Sequence, residues 1–260
     1  RGLGDVYKRQ ALNQGHSVVV SAPTGSGKTL IGEYAIHRAL AHGQKVFYTT
    51  PLKALSNQKL RDFRDQFGAE NVGLMTGDLS VNREASIVVM TTEIFRNMLY
   101  AEADEHDDPL ADVEAVVLDE CHYMNDSQRG TVWEESIIHC PPTVQLVALS
   151  ATVANAGQLT DWIEKVHGPT TLVMSDHRPV PLQFSFCSAK GLHPLLNEAG
   201  TGLHPNCKVW RAPKGHKRKG RSQRPPQPEP PPISFVVAQM AERQMLPAIY
   251  FIFSRRGCDK

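Results

Sequence analysis

Ala22-Pro23-Thr24-Gly25-Ser26-Gly27-Lys28-Thr29 stands between the apolar run Val18-Val19-Val20 and a helical pattern from Leu30 to Leu40. A strand, a glycine-rich turn and a Lys-Thr pair at a helix start form the setting that a phosphate-binding loop requires. Backbone N–H groups from Thr24 to Lys28 can wrap a polyphosphate, and the helix N-terminus adds partial positive charge. Lys28 is placed to reach the β- and γ-phosphates, and the Thr29 hydroxyl to hold Mg²⁺. A chance glycine turn is the alternative, but it leaves the flanking strand and helix without a reason.

A second half of the same site lies further along. Ala115-Val116-Val117-Leu118 is a short apolar run with the character of a buried parallel strand, and it ends in Asp119-Glu120-Cys121-His122. A carboxylate at a strand tip beside a phosphate loop can bind Mg²⁺ directly or through water. A second carboxylate next to it can orient and deprotonate an attacking water. Asp119 therefore takes the metal role and Glu120 the general-base role. Most Asp-Glu pairs are solvated surface; here the four apolar residues before the pair and the phosphate loop upstream set it apart. Cys121 reads as inert core.

Val144-Gln145-Leu146-Val147-Ala148-Leu149 is another strand-like run, ending in Ser150-Ala151-Thr152. Hydroxyls at that strand end, Ser150 and Thr152, could hydrogen-bond His122 and relay the nucleotide state; capping of the following helix is the plainer alternative. Further runs at Val46–Tyr48, Val72–Met75, Ile87–Met90 and Thr171–Met174 alternate with helical stretches. Such alternation implies an α/β fold, a mostly parallel sheet flanked by helices. Ligands of these sheets bind at the carboxyl ends of the strands, where Thr24–Thr29, Asp119 and Ser150 all fall.

In this order the three elements resemble motifs I, II and III of superfamily 2 helicases. Met90 to Tyr100, Asp119 to Asp126, Gly130-Thr131-Val132-Trp133-Glu134-Glu135 and His177-Arg178-Pro179-Val180-Pro181-Leu182 resemble the superkiller-type DExH-box RNA helicases, which include exosome-associated helicases and their cyanobacterial and chloroplast relatives. The resemblance covers roughly residues 11–186 and the last dozen or so. It implies a RecA-like P-loop NTPase domain over residues 11–178, with ATP and Mg²⁺ as cofactors and His122 as the fourth residue of the DExH motif.

The resemblance also implies an organisation. Residues 179–202 would connect two RecA-like domains, and residues 233–260 would begin the second, with Pro247 to Ser254 its first strand. Between them, Leu203 to Pro232 reads as a mostly disordered insertion, because Pro225-Pro226-Gln227-Pro228-Glu229-Pro230-Pro231-Pro232 can form neither helix nor central strand. The family's later motifs, including arginines that reach the γ-phosphate, do not occur in this chain, so it is expected to bind nucleotide far better than it hydrolyses it. Arg1 to Gln10 does not resemble the family and reads as foreign or misassembled sequence; Gln10 is not assigned to adenine.

Thr49-Thr50-Pro51-Leu52-Lys53-Ala54-Leu55-Ser56-Asn57-Gln58 resembles motif Ia. Hydroxyls, amides at a helix start and Lys53 are groups that bind phosphates without reading bases. Pro51, Lys53 and Asn57, then Gly77 in Thr76-Gly77-Asp78 and Thr91 and Thr92 in Thr91-Thr92-Glu93, would form a sequence-independent track for single-stranded RNA. Helix capping by Thr and Asp is the alternative for each.

Composition sets bounds on all of this. The 260 residues are 41% hydrophobic and 21% charged, as in an ordinary soluble globular protein. No run approaches the ~20 apolar residues of a membrane span, and no signal peptide is visible. Five scattered cysteines without CxxC spacing argue for a reducing compartment, the cytoplasm by default, and against any metal beyond Mg²⁺. The net charge of +1 hides eight Lys/Arg and no acid between Lys208 and Arg224; without these, 20 basic residues face 27 acidic ones. Nucleic-acid affinity in the folded part must then come from placed contacts, whether the basic tract embraces RNA or is only a soluble linker. The reading is an ATP-dependent RNA helicase in RNA processing or decay, within an RNA-decay or processing complex. A related DNA helicase, a P-loop kinase or nucleotide switch, and a binding module without turnover are the alternatives.

Overall fold

Period-two alternation within the apolar runs decides how the layers pack. The computed structural model of the protein describes residues 10–101, 108–126, 129–210 and 231–252. The runs become strands β1 (Ser17–Ser21), β2 (Lys45–Thr50), β3 (Val72–Met75), β5 (Ile87–Thr91), β6 (Val113–Leu118), β7 (Gln145–Ser150) and β8 (Thr170–Met174), with a short β4 (Ser80–Val81) that the sequence did not suggest. Val18, Val46, Tyr48, Val89, Val117 and Leu149 share one buried face of the sheet. Their chain neighbours Val19, Phe47, Val88, Val116, Leu118 and Ala148 share the other. Fully burying one such Val or Leu side chain is worth about 1.5–3 kcal/mol, so continuous apolar runs are stable only with helices on both faces.

Those helices are α1 (Thr29–Ala41), α2 (Lys53–Phe67), α3 (Thr92–Tyr100), α4 (Gly130–His139) and α5 (Ala156–Val166). The first face is covered by Ile31, Ala35, Ile36 and Ala39 of α1 and Phe63 of α2. Phe95 of α3, Trp133 and Ile137 of α4 and Ile163 of α5 cover the second. Helix α1 lies close to the sheet: a Cβ at Gly32 would stand 3.2 Å from the Tyr48 ring and 3.3 Å from Val117.

The strand order is β4-β3-β5-β2-β6-β7-β1-β8. Every neighbouring pair is parallel except β3 with β4. Parallel strands put all their carboxyl ends on one edge of the sheet, and this is what assembles the site. At the opposite edge a charged network closes the domain. Glu114, with a side chain only 8% exposed, receives Arg38 Nε at 3.0 Å and His42 Nδ1 at 2.9 Å. Arg38 also donates to Gln145, whose amide donates to the carbonyls of Leu12 and His16. Pairing with Arg38 and His42 offsets the cost of burying the Glu114 carboxylate.

The chain divides into two compact units, Arg1–Val180 and Pro181–Lys260. In the second, β9 (Ser185–Ser188) and β10 (Gly191–Pro194) form an antiparallel hairpin, followed by helix α6 (Ile233–Ala241). The hairpin turns through Ala189-Lys190 with Gly191 at φ +109°, a turn without the usual Asn-Gly or Asp-Gly signature. The expected insertion begins with ordered structure: Leu203 bridges Leu196, and Pro205–Trp210 is a 3-10 turn. Residues 1–9, residues 102–107 of the acidic stretch, residues 211–230, which hold most of the basic and proline-rich tracts, and residues 253–260 lie outside the described residues. The strand expected over 247–254 is not formed at residues 247–252, and Ile249 is 82% exposed. A strand exists only through pairing, and among the described residues no segment pairs with this one.

Candidate nucleotide site and nucleic-acid track

The loop from Ala22 to Thr29 leaves β1 at Ser21, and Ala22 N–H is anchored to Ser150 O at 3.2 Å, which ties it to the end of β7. Gly25 and Gly27 take φ +84° and +82°, the left-handed region that favours glycine and folds the loop back on itself. Ser26 N–H donates to Pro23 O. Among the described residues, the N–H groups of Gly25, Gly27, Lys28 and Thr29 donate to no backbone carbonyl, and the buried Ser26 Oγ has no partner. An orphaned hydroxyl inside a ring of free amides, at the start of a helix without a side-chain cap, is a donor set that a polyphosphate satisfies.

Lys28 Nζ donates to Ala22 O at 2.9 Å and Pro23 O at 3.3 Å, bracing its own loop. Burial pushes this ammonium below its ordinary range; the Glu120 and Asp119 carboxylates oppose that shift, and the Arg178 guanidinium adds to it. The lysine-bearing loop and the acidic pair, far apart in the chain, thus lie within electrostatic reach of one another.

Strand order explains this convergence, since β7 alone separates β1 from β6. Asp119 N–H donates to Thr49 O at 3.0 Å, so the acidic pair leaves the sheet beside β2. Asp119 Oδ2 accepts from the Tyr48 hydroxyl at 2.7 Å, and Oδ1 accepts from Glu120 N–H at 2.9 Å. Burial, with the Asp119 charge beside it, raises the Tyr48 phenol well above its usual range, so the phenol remains a donor. Tyr48 was legible only as part of an apolar run; its ring packs in the core while its hydroxyl orients a carboxylate.

Glu120 adopts the left-handed conformation, φ 53° and ψ 40°, which costs a non-glycine residue roughly 1–2 kcal/mol. Unfavourable backbone of this kind concentrates at functional sites. His122 Nδ1 lies 3.3 Å from Glu120 Oε2, and the same nitrogen receives Ala151 N–H at 3.3 Å. With Nδ1 unprotonated the ring accepts from Ala151; with Nδ1 protonated it donates to Glu120. One nitrogen cannot serve both partners at once. The link between His122 and the end of β7 therefore runs through a backbone amide, not through the hydroxyls expected to make it: Ser150 Oγ donates to Ala151 O, and Thr152 is exposed. Burial pushes the Cys121 thiol up to about 12, consistent with an inert core position.

The expected track runs along the same edge, past the ends of β2, β3 and β5. Helices α2 and α3 both start without a side-chain cap, and among the described residues the N–H groups of Lys53 and Ala54 meet no backbone carbonyl. Lys53 and Asp78 are paired across the two loops, and this hydrogen bond holds the Asp78 carboxyl below the usual range. Gly77, Asn57 and Thr91 are accessible, Pro51 is buried with its carbonyl taken by Arg129, and Thr92 is buried. Thr92 Oγ1 donates to Thr50 O at 3.2 Å, and Thr50 Oγ1 meets Ser56 Oγ at 2.7 Å. Those hydroxyls shape the strand ends and are not free for phosphate.

Residues 7–159 match the DEAD/DEAH box helicase family. The chain is 45% identical to the DExH-box ATP-dependent RNA helicase DExH15, chloroplastic, of Arabidopsis thaliana, over 98% of the chain and 25% of that protein. It is 41% identical to the Exosome RNA helicase MTR4 of Homo sapiens, over 98% of the chain and again 25% of that protein. The chain thus spans about a quarter of the length of these relatives. Among solved structures, the Mycobacterium smegmatis helicase Lhr bound to ssDNA and AMP-PNP aligns with a TM-score of 0.52 at 26% identity, over 66% of this chain and 25% of that one. With its parallel RecA-like sheet and these matches, the chain belongs to the DEAD/DEAH box helicase family.

Proposed function

We propose that this chain is the nucleotide-binding part of an ATP-dependent RNA helicase of the DExH type. The observation that carries the reading is the strand order, in which β7 alone separates β1, leading into the Lys28 loop, from β6, ending in Asp119 and Glu120. The free amides of the Gly25–Thr29 loop and the Ser26 hydroxyl would hold the phosphates of ATP, with Lys28 turning from its loop carbonyls to the β- and γ-oxygens. Thr29 and Asp119 would hold Mg²⁺, Asp119 being fixed for that purpose by Tyr48. Bound Mg²⁺–ATP supplies a transferable γ-phosphoryl group whose charge the metal neutralises. Glu120 would take the proton from the attacking water, and His122 would pass the state of the site to β7 through Ala151.

Amides at the starts of α2 and α3, with Lys53, Asn57, Gly77 and Thr91, would grip the phosphates of single-stranded RNA. Residues 179–202 would connect to a second RecA-like domain beginning in 233–260, and closure of the two would couple hydrolysis to unwinding. An RNA-decay or processing complex is the proposed setting, because a relative of this identity is named an exosome helicase. The four described cysteines are free thiols, which suits a reducing compartment, proposed as the cytoplasm.

The test is the ATPase rate of the longer protein with poly-A RNA, with single-stranded DNA and with neither. Strong stimulation by RNA alone supports the reading; equal stimulation by DNA would favour a DNA helicase, and none by either polymer would abandon both. RNA binding by the chain should also weaken with salt, log Kd rising by about 0.7 per log unit of salt for each phosphate contacted. Lys53→Ala should lower that slope by about 0.7, as fluorescence anisotropy across a salt series would measure; an unchanged slope would remove Lys53 from the track.

A further inference from the structure

Three segments from separate parts of the sheet edge meet at one side chain, that of Arg129, the residue before α4. Its Nη2 donates to Pro51 O at 2.7 Å and to the Glu93 carboxylate. Pro51 leads into the uncapped start of α2, and Glu93 sits in the first turn of α3. The backbone of Arg129 is fastened towards the acidic pair. Its N–H donates to Asp126 Oδ1 at 3.1 Å, and Gly130 N–H donates to Asp126 O at 2.8 Å. Gly130 lies so close to the preceding 3-10 turn, Cys121–Asn125, that a Cβ there would stand 2.2 Å from Met124 O. No slack remains between that turn and α4. The turn itself begins at Glu120, whose carbonyl accepts Tyr123 N–H at 3.0 Å.

A chain of close contacts therefore runs from Glu120, through the 3-10 turn and Asp126, to the Arg129 guanidinium, and ends on two loops of the sheet edge. Arginine suits the junction because the two N–H bonds of Nη2, held in the plane of the guanidinium, can engage a carbonyl and a carboxylate together in fixed geometry. Packed contacts of this kind shift as discrete arrangements and can carry a small displacement from one site to another.

We propose that Arg129 is a positioning residue that links the acidic pair to the amides opening α2 and α3, so that nucleotide bound at one site changes the affinity for RNA phosphates at the other. The inference rests on the proposed function, because it needs both ligands. It differs from a merely structural strut, which would change stability and leave the mutual effect of the ligands alone.

Titration of the chain with a fluorescent oligo-A RNA, with and without Mg²⁺–AMP-PNP, tests it. In the unsubstituted chain the nucleotide should change the RNA dissociation constant by about fivefold or more, and RNA should change nucleotide affinity by the same factor. Arg129→Gln should bring that factor close to one, while each ligand measured alone binds within about threefold of its original affinity (roughly 0.7 kcal/mol). Arg129→Lys, which keeps the charge but not the fork, should retain part of the effect.

An undiminished factor in Arg129→Gln would overturn the proposal. If that variant melts at a much lower temperature, Arg129→Lys and Glu93→Gln decide instead, and unchanged factors in both would overturn it. An unsubstituted chain that binds the two ligands independently would also overturn it, leaving both sites of the proposed function standing. A chain that binds neither ligand would overturn the proposed function itself.

Discussion

Lys28→Ala should raise the dissociation constant for Mg²⁺–ATP by about a hundredfold or more, equivalent to ~2.7 kcal/mol. The Lys28 ammonium is the cation closest in sequence to the ring of free amides, and burial already destabilises its charged form. A triphosphate would stabilise the charged form of this amine and offer stronger acceptors than the Ala22 and Pro23 carbonyls that it now holds. Removing a desolvated, hydrogen-bonded charge from such a contact costs about 2–5 kcal/mol in binding. The fold should tolerate the change, because among the described residues Nζ bonds only to carbonyls of its own loop. Calorimetric titration beside a thermal melt checks both halves; an unchanged dissociation constant in a folded variant would remove Lys28 from the site.

Glu120→Gln separates binding from chemistry. The substitution keeps the size of the side chain and leaves the backbone amide of residue 120 on Asp119 Oδ1, so the Asp119 carboxylate stays oriented. It removes the group that can accept a proton from water. Loss of a general base lowers turnover by about 10²–10⁴-fold, and about a thousandfold is expected here. The measurement belongs in the longer protein, under saturating RNA, with nucleotide affinity followed in parallel. Turnover within tenfold of the parent would show that another group takes the proton.

The phosphate loop and the acidic pair were legible because each combines a rare set of side chains with an apolar run that announces a strand. All seven strands of the parallel sheet could be read for the same reason, since buried parallel strands are continuous apolar segments. What escaped notice has a common cause. Tyr48 looks like packing because its ring is packing; only the neighbouring strand shows that its hydroxyl ends on Asp119. His122 contacts the end of β7 through the Ala151 amide, and backbone groups carry no sequence signature. Thr92 and Pro51 were read as surface contacts, yet Thr92 is spent on Thr50 and the Pro51 carbonyl on Arg129. Side chains at helix starts can cap, brace or bind, and only their neighbours decide which. The hairpin of β9 and β10 went unread because its turn lacks the expected residues, and residues 247–252 read as a strand by composition but have no partner to pair with.

The central claim is that two remote stretches of chain close around one magnesium–triphosphate. A crystal structure of the chain soaked with Mg²⁺–AMP-PNP tests it most directly. The account predicts Lys28 Nζ within hydrogen-bond distance of the β- and γ-phosphate oxygens, with Thr29 and Asp119 flanking the metal. Nucleotide bound away from this edge of the sheet, or a metal out of reach of Asp119, would contradict it.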